Sequence, residues 1–195
     1  MTDTHLFDNK NTEKTDIELV GLSLSDPNYF LFLSKRYEER LLRYIMRISK
    51  FSREDAEDVL QEVFIKTYYN LNGFDKELQF SSWIYRIAHN EAVSAIRKKA
   101  VRPSIALPVE DLERFGDSFE MMKDVDNSFD RKMIDEALSK LDEKYREVLV
   151  LRFLDEKDYT EIADILKKPV STIGNLILRG KKLFKEEYDK LIINK

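Results

Sequence analysis

Only 5 glycines and 4 prolines punctuate the 195 residues. This is well under the average usage of about 7% and 5%, and the scarcity of breakers narrows the available folds more than any other feature. A chain so poor in turn residues favours long helices over short, turn-rich strands. The apolar pattern agrees. After Asp26-Pro27, an N-cap followed by proline at the first helical position, apolar residues recur at Phe30, Leu33, Tyr37, Leu41, Tyr44 and Ile48 in steps of three and four. Ser52-Arg53-Glu54-Asp55 restarts the chain with a capping-box-like pattern. Ala56, Val59, Leu60, Val63 and Thr67 form the next inward stripe, which Leu71-Asn72-Gly73 stops. A helix from Ser81 or Ser82 to about Lys99 turns Ile84, Ile87, Ala88 and Ala95 inward. Further helices are expected over Phe129–Leu141, Asp142–Leu154, Thr160–Leu166 and Val170 to about Glu187. No strand-like alternation and no internal repeat interrupts the series. The expected fold is all-α.

Charge divides the chain. The totals, 33 Lys+Arg against 37 Asp+Glu, give −4. Residues 1–26 carry −4, 27–101 carry +3, 102–130 carry −5 and 131–195 carry +2. Two mildly basic blocks are thus separated by an acidic stretch that also holds Pro103, Pro108 and Gly116. The expected organisation is an acidic tail at 1–16, a helical domain at 17–101, an acidic linker at 102–128 and a second small helical domain at 129–195. Domains this small are marginal alone, so patterned faces are expected to meet partners. Cysteine is absent. That excludes disulfide frameworks, thiolate metal sites and Cys nucleophiles, and fits a reducing cytoplasm. Two histidines, His5 and His89, are too few for a His-rich metal site. No apolar run approaches a membrane span, and no secretory signal precedes the helices, so no membrane insertion is expected. Neither a phosphate-binding glycine loop nor a nucleophile elbow is present, so no catalytic residue, metal or cofactor is assigned.

Three local patterns carry chemistry. At the C-terminus, a short helix, a turn and a longer helix make a helix-turn-helix. Ile173, Ile177, Gly180 and Phe184 share its inward face, while Ser171, Thr172, Asn175, Arg179 and Lys182 lie opposite, suited to base edges and phosphates. An ordinary helical hairpin with a solvated charged face would read the same way. In the helix after Ser81, Arg86, Asn90 and Arg97 fall on one side, with Lys98 following and Phe74, Phe80, Trp83 and Tyr85 close by. Aromatics beside a basic helix suit stacking on unpaired bases, although they could equally be core. In the acidic run 54–62, Asp58 and Glu62 stand four apart. That run could serve as half of a carboxylate cage, as a docking face for a basic partner, or as a solvated surface.

Taken in order, these patterns resemble the bacterial extracytoplasmic-function sigma factors, small members of the sigma-70 family. The resemblance rests on Asp55-Ala56-Glu57-Asp58-Val59-Leu60-Gln61-Glu62-Val63-Phe64, on Gly73-Phe74-Asp75, on Phe80-Ser81-Ser82-Trp83-Ile84-Tyr85-Arg86-Ile87-Ala88-His89-Asn90 and on Arg97-Lys98-Lys99. Downstream it rests on Ala137 to Leu141, Arg146 to Arg152 and Glu161-Ile162-Ala163. It implies a non-enzymatic specificity subunit that directs core RNA polymerase to promoters. Asp55, Asp58, Gln61 and Glu62 would dock on the β′ clamp helices, with the β subunit as a further contact. Phe74, Phe80, Trp83, Arg86, Asn90, Arg97 and Lys98 would read and melt the minus-ten element. Ser171, Thr172, Asn175, Arg179 and Lys182 would read the minus-thirty-five element in the major groove. The linker would thread the RNA-exit path, and an anti-sigma factor would be a further partner. One departure stands out: Gly174 and Leu176 occupy positions where the family often carries basic residues. The rival readings are a helix-turn-helix regulator acting without polymerase, a metal-dependent all-α nucleotide hydrolase, and a structural helical adaptor.

Overall fold

The computed structural model describes residues 13–99 and 128–193. Within them the secondary structure is helical, in two four-helix bodies. The first comprises α1 (Asp16–Ser25), α2 (Phe30–Ser49), α3 (Arg53–Asn70) and α4 (Phe80–Lys99). The second comprises α5 (Ser128–Lys140), α6 (Glu143–Leu149), α7 (Tyr159–Leu166) and α8 (Val170–Ile193). The linker expected at 102–128 lies outside the described residues except for Ser128, which opens α5. Of the expected tail, residues 1–12 also lie outside them.

The end of that tail needs correction. Thr15 and Asp16 begin a helix that the sequence reading leaves unassigned. Thr15 Oγ1 accepts from the Glu18 amide (3.3 Å), while a Glu18 carboxylate oxygen accepts from the Thr15 amide (2.7 Å). This reciprocal cap satisfies two otherwise orphaned donors. It also holds the Glu18 carboxyl below its usual range, chiefly through the bond from the Thr15 backbone. Asp16 then pairs with Arg36 at 2.6 Å and accepts from the Tyr37 hydroxyl, which pins α1 to α2. Asp26 closes α1 and caps a short 3₁₀ turn at Pro27–Tyr29, and α2 proper starts at Phe30.

The first core follows from the apolar spacing. Leu33, Tyr37, Leu41, Tyr44 and Ile48 of α2 are buried against Ala56, Val59, Leu60, Val63 and Thr67 of α3. Ile84, Ala88 and Ala92 of α4 complete the packing. Buried Thr67 satisfies its hydroxyl on the Val63 carbonyl (2.7 Å). At the edge, Lys66 of α3 pairs with Glu91 of α4 at 2.7 Å.

In the second body the expected helix 142–154 divides. After α6 the chain widens into a π-type turn at Val150–Leu154, where the Asp155 amide donates to the Val150 carbonyl (3.0 Å). Glu156 takes a left-handed conformation (φ 56°), and the Lys157 amide donates to the Leu151 carbonyl (2.8 Å). The chain thereby reverses into α7, which Asp158 and Glu161 open with a second reciprocal cap. Lys167, at φ 52°, ends α7, and Pro169 follows. Beyond it α8 packs Ile173, Ile177, Gly180 and Phe184 inward, as their spacing predicts. The helix continues past Glu187 to Ile193, with Tyr188 stacked on Phe184 at 5.7 Å. At Gly180, a Cβ would lie 3.2–3.4 Å from the Leu149 side chain, so α8 approaches α6 closely at this point.

Candidate nucleic-acid interface

Three groups of expected site residues occupy separate places on this scaffold. On α3, Asp58, Gln61 and Glu62 are exposed. Asp55 is engaged instead: it accepts from Ser52 Oγ (2.8 Å) and pairs with Lys99 Nζ of α4 (2.6 Å). The bond from Lys99 is the main reason its carboxyl sits below the usual range. Two apolar residues extend the acidic stripe. Ile65 and Tyr69, seven residues beyond Asp58 and Glu62, are 48% and 80% exposed. Sequence reasoning passed over them because only the acids were counted, but a seven-residue step returns to the same helix face.

Around the start of α4, Phe74 and Phe80 are buried and Trp83 is half-buried. Their rings form one cluster. Phe74 lies 5.5 Å from Phe80 and 5.0 Å from Trp83, and Phe80 lies 5.6 Å from both Trp83 and Tyr37. In this conformation Phe74 and Phe80 back the Trp83 ring rather than offering a free face. Asn90, Arg97 and Lys98 are exposed further along the helix. Arg86 is not free: its guanidinium pairs with Asp164 of α7 at 3.1 Å.

That pair belongs to a wider contact between the bodies. Along one stripe of α4, Ser81 Oγ accepts from Lys157 Nζ (2.8 Å), and Ser82 Oγ donates to Glu161 (3.3 Å). The Tyr85 hydroxyl donates to Asp155 (2.8 Å), and His89 Nδ1 lies 3.8 Å from Glu147. Lys157 Nζ also pairs with Glu161 at 2.9 Å. Elsewhere Arg47 of α2 meets Asp135 of α5 at 2.9 Å, and buried Arg146 donates to the Ile48 carbonyl at 3.0 Å. Burial pushes Asp155 up to about 6, Glu147 up to about 7 and His89 down to about 4.

On α8, the expected stripe lies opposite the buried face. Ser171, Asn175 and Lys182 are exposed, and Thr172 and Arg179 are half-buried. Nothing lies within 4 Å of where a Gly174 Cβ would stand. Among the described residues, no group of three or more His, Cys, Asp or Glu side chains gathers as a metal cage requires. No helix among them is long and apolar enough to cross a membrane.

Comparison with known proteins adds to this geometry. The family profile for Sigma-70 region 2 matches residues 33–102, and that for Sigma-70 region 4 matches residues 131–184. The ECF RNA polymerase sigma factor SigW of Bacillus subtilis is 32% identical over 176 residues, which cover 83% of this chain and 90% of that protein. The ECF RNA polymerase sigma-E factor of Haemophilus influenzae is 30% identical over 187 residues, covering 91% and 97%. The fold is similar to that of CnrH, solved in complex with the cytosolic domain of CnrY. The TM-score there is 0.67 at 22% identity, over 90% of this chain and 97% of that one. It is also similar to the sigma factor RpoE solved with the anti-sigma factor NepR from Bartonella quintana, with a TM-score of 0.65 at 21% identity over 82% and 96%.

Proposed function

The chain belongs to the extracytoplasmic-function sigma factors of the sigma-70 family, and from that premise we propose how its surfaces divide the work of promoter-directed transcription. Its function is to bind core RNA polymerase and bring it to promoter DNA; the family is not one of enzymes. The α3 stripe of Asp58, Gln61, Glu62, Ile65 and Tyr69 docks on the β′ clamp helices. The acids speed and orient the encounter with a basic partner, and the two apolar side chains supply a desolvated centre. Asp55 contributes by holding the start of α3 to the end of α4 through Lys99. The cluster around Trp83 captures an unstacked base of the minus-ten element, with Phe74 and Phe80 as its backing. Arg86, Asn90, Arg97 and Lys98 hold the adjoining strand. Stacking worth about 1–3 kcal/mol per base offsets an unpairing cost of a few kcal/mol. In the second body, Ser171, Thr172, Asn175, Arg179 and Lys182 meet the minus-thirty-five element in the major groove. The boundaries 17–101 and 129–195, with α1 starting one residue earlier at Asp16, serve as the two working regions. An anti-sigma factor is the natural antagonist of these surfaces, and the cytoplasm, where polymerase works, is the place of action.

The observation that best supports this reading is the outward stripe of α8, set opposite a buried Ile173–Ile177–Gly180–Phe184 face. What sets it apart from an ordinary solvated face is the sign of its charge: residues 170–185 hold Arg179, Lys181, Lys182 and Lys185 and no acid. Two measurements test the scheme. With core polymerase and genomic fragments that yield run-off transcripts, Trp83→Ala and Asn90→Ala are expected to lose permanganate-reactive thymines while keeping polymerase binding. Unchanged opening in both would reject the assignment. For α8, Gly174→Lys places a cation where open space exists. Its affinity for duplex DNA is expected to rise, with the salt slope steeper by about 0.9, the value of one added phosphate contact. A slope identical to the parent's would mean that this face does not meet the backbone.

A further inference from the structure

The rings that hold Trp83 lead back to α1. Phe80, 5.6 Å from Trp83, is also 5.6 Å from Tyr37, the latter pair edge to face at 65°. Tyr37 is 3% exposed, and its hydroxyl donates to the Asp16 carboxylate. The other oxygen of that carboxylate accepts from Arg36 at 2.6 Å, and Arg36 donates in turn to the Lys14 carbonyl (2.7 Å). Asp16 is thus held from the guanidinium side while it receives Tyr37. Burial, and then the bond to Asp16, push the Tyr37 hydroxyl well above its ordinary range, so it stays protonated and must donate. Resting on the role assigned to Trp83 above, we propose that Asp16 is a positioning residue for base capture: it sets Tyr37, Tyr37 sets Phe80, and Phe80 sets the Trp83 ring. The Arg36–Asp16 pair would by itself staple α1 to α2, and buried Leu19 and Val20 already hold the helix down. What goes beyond a staple is that Tyr37 touches both the carboxylate and the aromatic cluster. Without the acceptor a buried hydroxyl is left unsatisfied, and turning it toward water relieves the cost. Tilting Tyr37 outward opens a gap behind Phe80, and closely packed rings shift into such a gap. Trp83, half-buried at the end of the series, then loses its fixed orientation. α1 lies ahead of residues 33–102, which the Sigma-70 region 2 profile matches, so the relay carries base capture into a part of the chain outside that profile.

Trp83 is the only tryptophan of the chain, so its fluorescence reports on this ring alone. In the full chain, acrylamide quenching is expected to be about twofold faster in Asp16→Ala than in the parent, as the ring samples open orientations. Asp16→Asn loses the ion pair with Arg36 but keeps an acceptor for the hydroxyl, and is expected to stay near the parent. In a Tyr37→Phe background no hydroxyl needs an acceptor, so Asp16→Ala is expected to add nothing there; the two changes are not additive. Ile48→Val, a buried change about 16 Å further along α2, loosens the same core and is expected to leave quenching at the parent's rate. In holoenzyme, Asp16→Ala is expected to cut permanganate-reactive thymines about fivefold, in step with the fraction of correctly set rings, while competing for core polymerase like the parent. Quenching of Asp16→Ala equal to the parent's, an equal increment with and without the Tyr37 hydroxyl, or a matching rise in Ile48→Val overturns the proposal. The two readouts fail separately. Should Trp83→Ala open promoters like the parent, base capture is discarded, and with it the purpose of the relay. Should Trp83 prove essential while its quenching ignores Asp16, only the relay is discarded.

Discussion

Replacing Phe80 with alanine is expected to lower the stability of the first body by about 3–5 kcal/mol, the range for deleting a buried aromatic ring. The ring is 2% exposed and sits between Tyr37, Phe74 and Trp83. Those three neighbours are themselves held by α2, the 71–80 connection and α4, so they cannot collapse together into the space. Loss of the backing also frees the Trp83 ring from the orientation proposed to capture a base. Urea unfolding should show the midpoint falling with little change of slope, and promoter opening should fall even where the variant remains folded. Phe80→Leu, which keeps most of the volume, should recover much of the stability. A midpoint within error of the parent's would show that the ring does not carry this corner of the core.

The second large effect is on assembly. Asp58→Arg combined with Glu62→Arg turns the exposed acids of α3 into cations facing a basic partner. Like charges brought together at an interface cost several kcal/mol. Core polymerase affinity is therefore expected to fall by about a hundredfold, equivalent to roughly 2.7 kcal/mol. Most of the loss should appear in the association rate at low salt and shrink as salt screens the repulsion. Because both positions are on the surface, thermal stability should hold within about 0.5 kcal/mol. Competition with the parent for limiting core enzyme, at low and high ionic strength, reads both quantities. Unaltered competition would place the docking face elsewhere.

The architecture was legible wherever helical spacing was strict. The inward stripes of α2 and α3 are buried apart from Phe30, which is half-buried at the start of α2, and the Ile173–Ile177–Gly180–Phe184 face of α8 is buried throughout. Helix α1 escaped notice because an acidic count averaged over 1–26 hid the local signal. Thr15-Asp16-Ile17-Glu18 is a cap only four residues long, followed by Leu19 and Val20. The break after Leu149 escaped for a different reason. A π-type turn leaves no mark in apolar periodicity, since it shifts the register by one residue without a Gly or Pro. At the candidate site, exposure separated residues that composition had grouped together. Trp83, Asn90, Arg97 and Lys98 stand partly or wholly open, whereas Phe74 and Phe80 are backing and Asp55 is tied to Lys99. The pairing of Arg86 with Asp164 joins positions 78 residues apart. Only the packing of two separate bodies brings them together, and no local pattern encodes it.

The close approach at Gly180 makes α8 sensitive to change on its inner face. α8 rests on Leu149 at a point where a side chain is missing, between buried Ile173 and Phe184. A methyl group there would stand 3.2–3.4 Å from the Leu149 side chain, so Leu149 or α8 must give way by a few tenths of an ångström. Should the outer stripe read the minus-thirty-five element as proposed, its seating in a groove would answer to a residue on the opposite face of the helix.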